Sequence, residues 1–202
     1  MQYDRLASEE AIIRTKESLE RRGVNVIIAD KRQEALKKLE ELLPEGVELM
    51  TGGSTTLDQI GFIDFLIHNP EKYNNLKNAI FTERDPAKQS ELRRRSNVAE
   101  YYIGSVHAVA ETGEVVVASA TGSQLGAYAY GAEHVVWVVG TQKITPTLEN
   151  AIRRVEEYSL PLEDQRMKSL GAAGSHIGKM LIFHDDRPGR TTMILVREKL
   201  GF

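Results

Sequence analysis

The stretch from 102 to 143, YIGSVHAVAETGEVVVASATGSQLGAYAYGAEHVVWVVGTQK, constrains the fold most, because strand, return strand, glycine turn, short helix and buried strand follow one another without a break. Ile103, Val106, Val109 and Ala110 form an apolar run. Glu111-Thr112-Gly113-Glu114 is a turn and Val115 to Val117 a β-branched return, which predicts a hairpin. With that turn centred on Thr112 and Gly113, antiparallel pairing sets Ser105 and Val106 opposite Ser119 and Ala120. Gly104, Ser105 and His107 then neighbour Thr121, Gly122 and Ser123. Leu125, Tyr128 and Ala129 predict a short helix from Ser123 to Tyr130, with Gly131 ending it. Val135 to Val139 reads as a buried strand with Trp137 in the core, and Gly140 to Lys143 leaves its C-terminal end carrying one cation, which marks an anion site.

The preceding residues repeat the strand-then-helix theme. Ser8 opens a helix that ends at Arg22-Gly23, with a thin apolar side that suits a surface position. Val24 to Ala29 is a strand, Asp30 and Gln33 have the spacing of a capping box, and Ala35, Leu36, Leu39, Leu42 and Leu43 recur at helical period up to Pro44. Val47 to Met50 is a second strand. It runs directly into Gly52-Gly53-Ser54-Thr55-Thr56 and a helix patterned by Leu57, Ile60, Ile63 and Ile67. The two glycines permit close backbone approach to a ligand, Ser54 or Thr55 supplies a cap, and the helix dipole favours phosphate or carboxylate. Residues 69 to 85 are polar and read as irregular structure or a flap. After 143, Thr145-Pro146 begins a helix with Leu148, Ala151, Ile152 and Val155 on one face. Residues 159 to 178 are mixed and glycine-rich, and Met180 to Phe183 and Thr191 to Val196 read as a final hairpin with a long loop.

Strands alternating with helices imply a largely parallel sheet, and such sheets bind ligands outside the carboxyl ends of their strands. The Gly52 to Thr56 and Gly140 to Lys143 loops therefore share one edge, and the hairpin brings Ser105, His107, Thr121, Gly122 and Ser123 toward it. Three small-residue loops and one lysine at one edge predict a site for a small anion bearing phosphate or carboxylate. His107 and Glu111 face the same way on a strand, so they form a conceivable acid and base pair, with Lys143 as the cation.

Composition narrows the alternatives. The 202 residues suit one domain spanning 1–202. A formal charge of −3, from 26 basic and 29 acidic residues, gives no electrostatic case for nucleic acid or an anionic membrane surface. Arg93-Arg94-Arg95 is a local triplet that reads as a solvated face. Without cysteine the chain offers no thiolate nucleophile and no cysteine-ligated iron–sulfur cluster, so any such centre belongs to a partner. The start has no signal-peptide core, and no apolar run reaches membrane-spanning length, which makes the cytoplasm the expected location. The five histidines lack metal-site spacing, and Gly174 to Lys179 falls short of a P-loop between its glycines and precedes a strand.

The combination of Gly52 to Leu57, Gly104-Ser105 with Ala108-Val109 and Thr112 to Glu114, Gly122 with its helix, and the strand ending at Gly140 to Lys143 resembles the lactate-utilisation (LUD) domain family, including its lactate-utilisation protein C-like members. The resemblance covers nearly the whole chain. Through that family the chain is similar to the wider ribose-5-phosphate isomerase, coenzyme A transferase and translation-factor-like α/β group, whose members bind phosphorylated or acyl ligands at this strand edge. It implies a three-layer α/β/α sandwich with a largely parallel, Rossmann-like open sheet, plus β-hairpins. The sugar-phosphate isomerases carry an aspartate in the segment matching Gly104 to His107, and none occurs here. The transferases need a glutamate nucleophile, for which Glu111 is nearest but sits in a turn.

The leading expectation is a protein of lactate or organic-acid utilisation that binds a small anion, as a non-redox subunit beside iron–sulfur partners. A free-standing enzyme on a sugar phosphate or acyl-coenzyme A, using His107, Lys143 or Glu111, is the alternative, and a non-catalytic binding module is the third reading.

Overall fold

The computed structural model of the chain describes residues 3–202. Six parallel strands form the central sheet: β1 (Asn25–Ala29), β2 (Glu48–Thr51), β3 (Asn74–Asn75), β4 (Tyr101–Gly104), β7 (His134–Gly140) and β10 (Thr191–Val196), in the order β1-β10-β7-β4-β2-β3. The three middle strands, β10, β7 and β4, are almost continuous runs of buried residues, as a parallel strand covered on both faces requires. Side chains alternate between two cores. Val136, Val138, Ile194 and Val196 point to one face, where they meet Leu39 of α2 (Arg32–Leu42), Leu57 of α3 (Thr55–Gln59) and Phe62 of α4 (Phe62–His68). Val135, Trp137, Val139 and Met193 point to the other. There Ile12 and Leu19 of α1 (Glu9–Arg21) pack on them, so that helix has a buried stripe despite its thin apolar pattern.

A second sheet shares this face: β8 (Ile144–Thr145), β5 (Ala108–Ala110), β6 (Val115–Ser119) and β9 (Lys179–Phe183), in that order. Its outer side is covered by α7 (Leu148–Arg154) through Ala151 and by Val155. A π turn at Val155–Ser159 links α7 directly to α8 (Leu160–Ser169). The mixed, glycine-rich reading of 159 to 178 thus gives way, up to Ser169, to helix, and Pro161 is tolerated because it lies in the first turn after the π segment.

Several expectations are corrected. The strand at 103 to 110 is two strands: β4 lies in the central sheet, and after Gly104 the chain crosses over to β5, so that β5 and not β4 pairs with β6. The register, Ala108 with Val116 and Val109 with Val115, is displaced by one residue from the hairpin expected from a turn centred on Thr112 and Gly113. The last two strands form no hairpin. β9 is antiparallel to β6 in the small sheet, whereas β10, with its buried run Met193 to Val196, lies between β1 and β7, where burial on both faces is available. The connecting loop is tied down by Arg190, which donates to the carbonyls of Ala127, Tyr128 and Ala132 and pairs with Asp186 at 2.8 Å. Residues 69 to 85 contain β3 and α5 (Leu76–Thr82), started by the Asn75 side chain accepting from Lys77 N–H. The next helix, α6 (Pro86–Arg95), is capped by Asp85 and has no buried residue. At the start of α2 the cap is Lys31, and Glu34 reaches back to the Asp30 amide at 2.8 Å in place of the expected capping box.

Candidate functional site

A cleft of about 330 Å³ opens where β2, β4 and β7 end, between the central sheet, the small sheet and α8. Its floor comes from the two loops expected at this edge and from the link between the sheets. Gly52 to Thr56 follow β2, and Gly104 to His107 follow β4. From the small sheet come Ala118 to Thr121, Ser123 and Gln124. Gly122 is in this turn with φ of 86° but its Cα faces away, where an added Cβ would meet the Lys179 side chain at 2.7 Å.

The helix after the Gly52-Gly53 turn is short. α3 is five residues long, because Gly61 adopts φ of 83° and restarts the chain as α4. Little macrodipole develops over so few residues, so the electrostatics of the cleft rest on side chains and on loop amides. The Ser54 hydroxyl accepts from Leu57 N–H at 3.3 Å, as the expected cap. The N–H groups of Gly53 and Ser54 have no partner among the described residues.

Lys143 is the charged centre. The chain turns inward after β7 as a 3-10 segment, Thr141–Lys143, all three residues of which are buried. The Lys143 ammonium donates to Thr56 Oγ1 at 3.2 Å, Ser105 Oγ at 3.1 Å and the Val106 carbonyl at 3.1 Å. Ser105 in turn donates to the Val138 carbonyl at 2.7 Å, so its lone pairs are left for the lysine. Three neutral oxygens satisfy the three N–H bonds, and no carboxylate pairs with the charge among the described residues. Burial, aided by the nearby Arg154 guanidinium, pushes the Lys143 pKa down to about 7.

Arg154 is a second buried cation that no carboxylate pairs among the described residues. It donates to the carbonyl of His107, to Ser159 Oγ at 2.9 Å and to the Tyr3 carbonyl at 3.4 Å, while its Nε lacks a partner. Burial lowers its pKa to about 10. Between these cations sits His107, whose Nδ1 accepts the Ala118 N–H at 3.2 Å. That bond places the ring proton on Nε2, and burial, then Lys143 and Arg154, push the pKa down to about 3. His107, which lines the cleft, is therefore held as a neutral imidazole with its proton on Nε2, and its Nδ1 is already occupied as an acceptor.

The remaining wall was not legible from sequence. The π turn and α8 bring Ser159, Glu163 and Arg166 to the cleft, with Glu163 and Arg166 joined by two hydrogen bonds of 2.7 and 2.8 Å. Gln124 accepts from Ser119 and Ser123 at 3.0 and 3.3 Å, which leaves its amide N–H groups available. Ser175 and His176 close one end, held by Asp164 through the Ser175 amide at 2.8 Å. Gly201 closes the other. An added Cβ there would lie 2.5 Å from Thr56 Oγ1 and 3.2 Å from Lys143 Nζ.

Glu111 is elsewhere. It lies in the β5–β6 turn facing α1, where Arg14 binds it at 2.7 Å, and it lines a separate hollow with Arg5 and Pro146. The acid and base pairing with His107 does not form, because Glu111 lies past the far end of β5, in the turn where Arg14 holds it, and outside the cleft that His107 lines. Among the described residues no group of three or more acidic, histidine or cysteine side chains could hold a metal, and no helix is long and apolar enough to cross a membrane.

A central parallel sheet flanked by helices, with a second sheet sharing the α1 face and a cleft at the strand ends, defines an α/β class of domain. The chain belongs to the LUD domain family, whose model matches residues 12–201, a family associated with lactate utilisation. Its fold matches the crystal structure of a DUF162 family protein from Deinococcus radiodurans, with a TM-score of 0.58 and 11% identity over 95% of this chain and 99% of that one. A comparison with curated proteins finds no match.

Proposed function

We propose that the cleft binds a small organic anion, carboxylate- or phosphate-bearing, and that the protein serves lactate or related organic-acid utilisation through that site. The observation that carries this reading is the buried Lys143 ammonium, solvated by three neutral oxygens and facing a cleft with unpartnered amides. A buried charge without a counter-ion is costly, and an incoming anion would supply the missing one. The neutral His107 Nε2–H would donate to an oxygen of the same ligand. The other cleft charges, Glu163 and Arg166, already neutralise each other. In the same reading the chain is a non-redox subunit, since it has no cysteine and any iron–sulfur centre would belong to partners.

Thermal unfolding against lactate, other small organic acids, sugar phosphates, nucleotides and coenzyme A derivatives tests the site. A ligand at about 100 times its Kd stabilises by about 2.7 kcal/mol. For a chain of this length that raises Tm by about 5 to 11 °C. Lys143→Ala and Ser54→Ala should each reduce the shift, and a shift untouched by both would remove the proposal. Purification of the native protein without any iron–sulfur partner would remove the subunit reading alone.

A second reading, a free-standing enzyme on a sugar phosphate or acyl thioester, draws on the juxtaposition of Lys143, Ser105 and His107 in one cleft. His107 would then polarise a carbonyl as a neutral donor. Turnover of such substrates that persists in the His107→Ala, Lys143→Ala double variant would exclude this role.

A further inference from the structure

Lys77, on α5, lies behind the Gly52-Gly53 turn, outside the lining of the cleft. Its ammonium donates to Thr51 Oγ1 at 3.2 Å and to the Gly52 carbonyl at 3.3 Å, and it stands 5.9 Å from the centre of the Phe81 ring. It forms no ion pair among the described residues; Asp58 and Arg93 are the charged groups close enough to act on it. The carbonyl it holds belongs to the same peptide as the Gly53 N–H. Every peptide bond among the described residues is trans, and in a trans peptide the C=O and N–H point in opposite directions. Fixing the Gly52 carbonyl toward Lys77 therefore turns the Gly53 N–H the other way, toward the cleft that Gly52 and Gly53 line. That N–H has no partner among the described residues, and the space beside the Gly53 Cα is open, with nothing within 4 Å of an added Cβ. A glycine pair needs such a tether, because without Cβ atoms the peptide between them is free to rotate.

We infer that Lys77 is a positioning residue of the cleft, which locks the Gly52-Gly53 peptide so that the Gly53 N–H is presented as a donor to the bound anion. The inference rests on the anion reading of the cleft for its ligand, but the peptide orientation belongs to the free protein. Lys77 acts through the amide and touches no ligand. The tie also joins α5 to β2, so that the helix between β3 and α6 supports the glycine turn from behind.

The test uses the whole ¹⁵N-labelled chain as wild type, Lys77→Met and Lys77→Arg, titrated with inorganic phosphate and, separately, lactate. The expected result is a Gly53 N–H residual dipolar coupling that changes in free Lys77→Met and is restored in Lys77→Arg, whose guanidinium can reach the same two oxygens. Affinity for the anion that binds wild type should fall about fivefold or more in Lys77→Met and recover in Lys77→Arg. An unchanged Gly53 coupling in a folded Lys77→Met overturns the inference, as does an anion affinity within twofold of wild type. A mere tie between α5 and β2 would lower Tm without either change. If neither anion perturbs wild type, the anion reading is what fails, and the Gly53 coupling in the free proteins still decides the role of Lys77.

Discussion

Replacing Lys143 by methionine keeps most of the side-chain length and removes the ammonium, so it isolates what a buried, unpaired charge does to the fold. The folded protein holds this group at a pKa of about 7 through burial and the field of Arg154. An unfolded lysine titrates near about 10.4. Below about pH 7 both states carry the proton, and the folded state bears the full penalty of burying it. As the pH rises from about 7 to about 10.4 the folded state has already shed the proton while the unfolded state still binds it, so stability increases. Integrated from about pH 6 to about pH 9, the gain from this one residue is about 2 to 3 kcal/mol. Lys143→Met lacks the titration. The difference in unfolding free energy between wild type and variant should therefore shift toward wild type by that amount across the window. His107 stays neutral in the folded wild type throughout the window; burial, the larger cause of its low pKa, persists in the variant although the contribution of Lys143 is lost, and Arg154 lies above the window. The assay is urea unfolding followed by the fluorescence of Trp137, the only tryptophan, which is fully buried. Parallel pH profiles for the two proteins would refute the reasoning, because they would mean that the ammonium is as well solvated when folded as when unfolded.

Other predictions separate the cleft from its surroundings. Glu111→Gln, which loosens an exposed pair with Arg14, should change stability by under about 1 kcal/mol. It should also leave anion-induced stabilisation intact, as measured by thermal unfolding. Gly104→Ala drives a Cβ to within 1.8 Å of the Tyr128 hydroxyl. It should destabilise by about 1 to 3 kcal/mol in urea, and Tyr128→Phe in the same chain should recover part of the loss. Trp137→Ala removes a ring packed edge-on against Tyr128 and Phe183, at centroid distances of 5.5 and 5.0 Å. Its cost by chemical denaturation should be about 3 to 5 kcal/mol.

Local signals were legible where one residue type dictates one backbone state. Ser8, Asp85 and Ser54 cap helices as their side chains predict, and Gly23 takes the left-handed φ that ends α1. The valine run around Trp137 could only be a strand buried on both sides. Partnership between strands was less legible, because it depends on which distant segment offers an apolar face. β10 and β9 are both apolar, and only the tertiary arrangement sends one to each sheet. The loops at the strand ends did converge, since their placement follows from strand direction alone. Glu163, Arg166 and Gly201 escaped notice because they reach the cleft through a π turn and a chain segment beyond β10, neither of which has a periodic signature. Lys77 was lost in a polar stretch whose helix is short and exposed, with one buried residue, Ile80, to mark it.

The central claim, that the cleft holds a small organic anion, is tested most directly by a crystal structure of the protein grown with the organic acid or phosphate that raises its Tm most. The account predicts the anionic group inside the cleft, within hydrogen-bond reach of Lys143 Nζ and the Gly53 or Ser54 amide, with the His107 Nε2–H facing the same ligand. A ligand bound instead in the hollow between Arg5, Arg14 and Glu111, with the cleft holding only water, would contradict it.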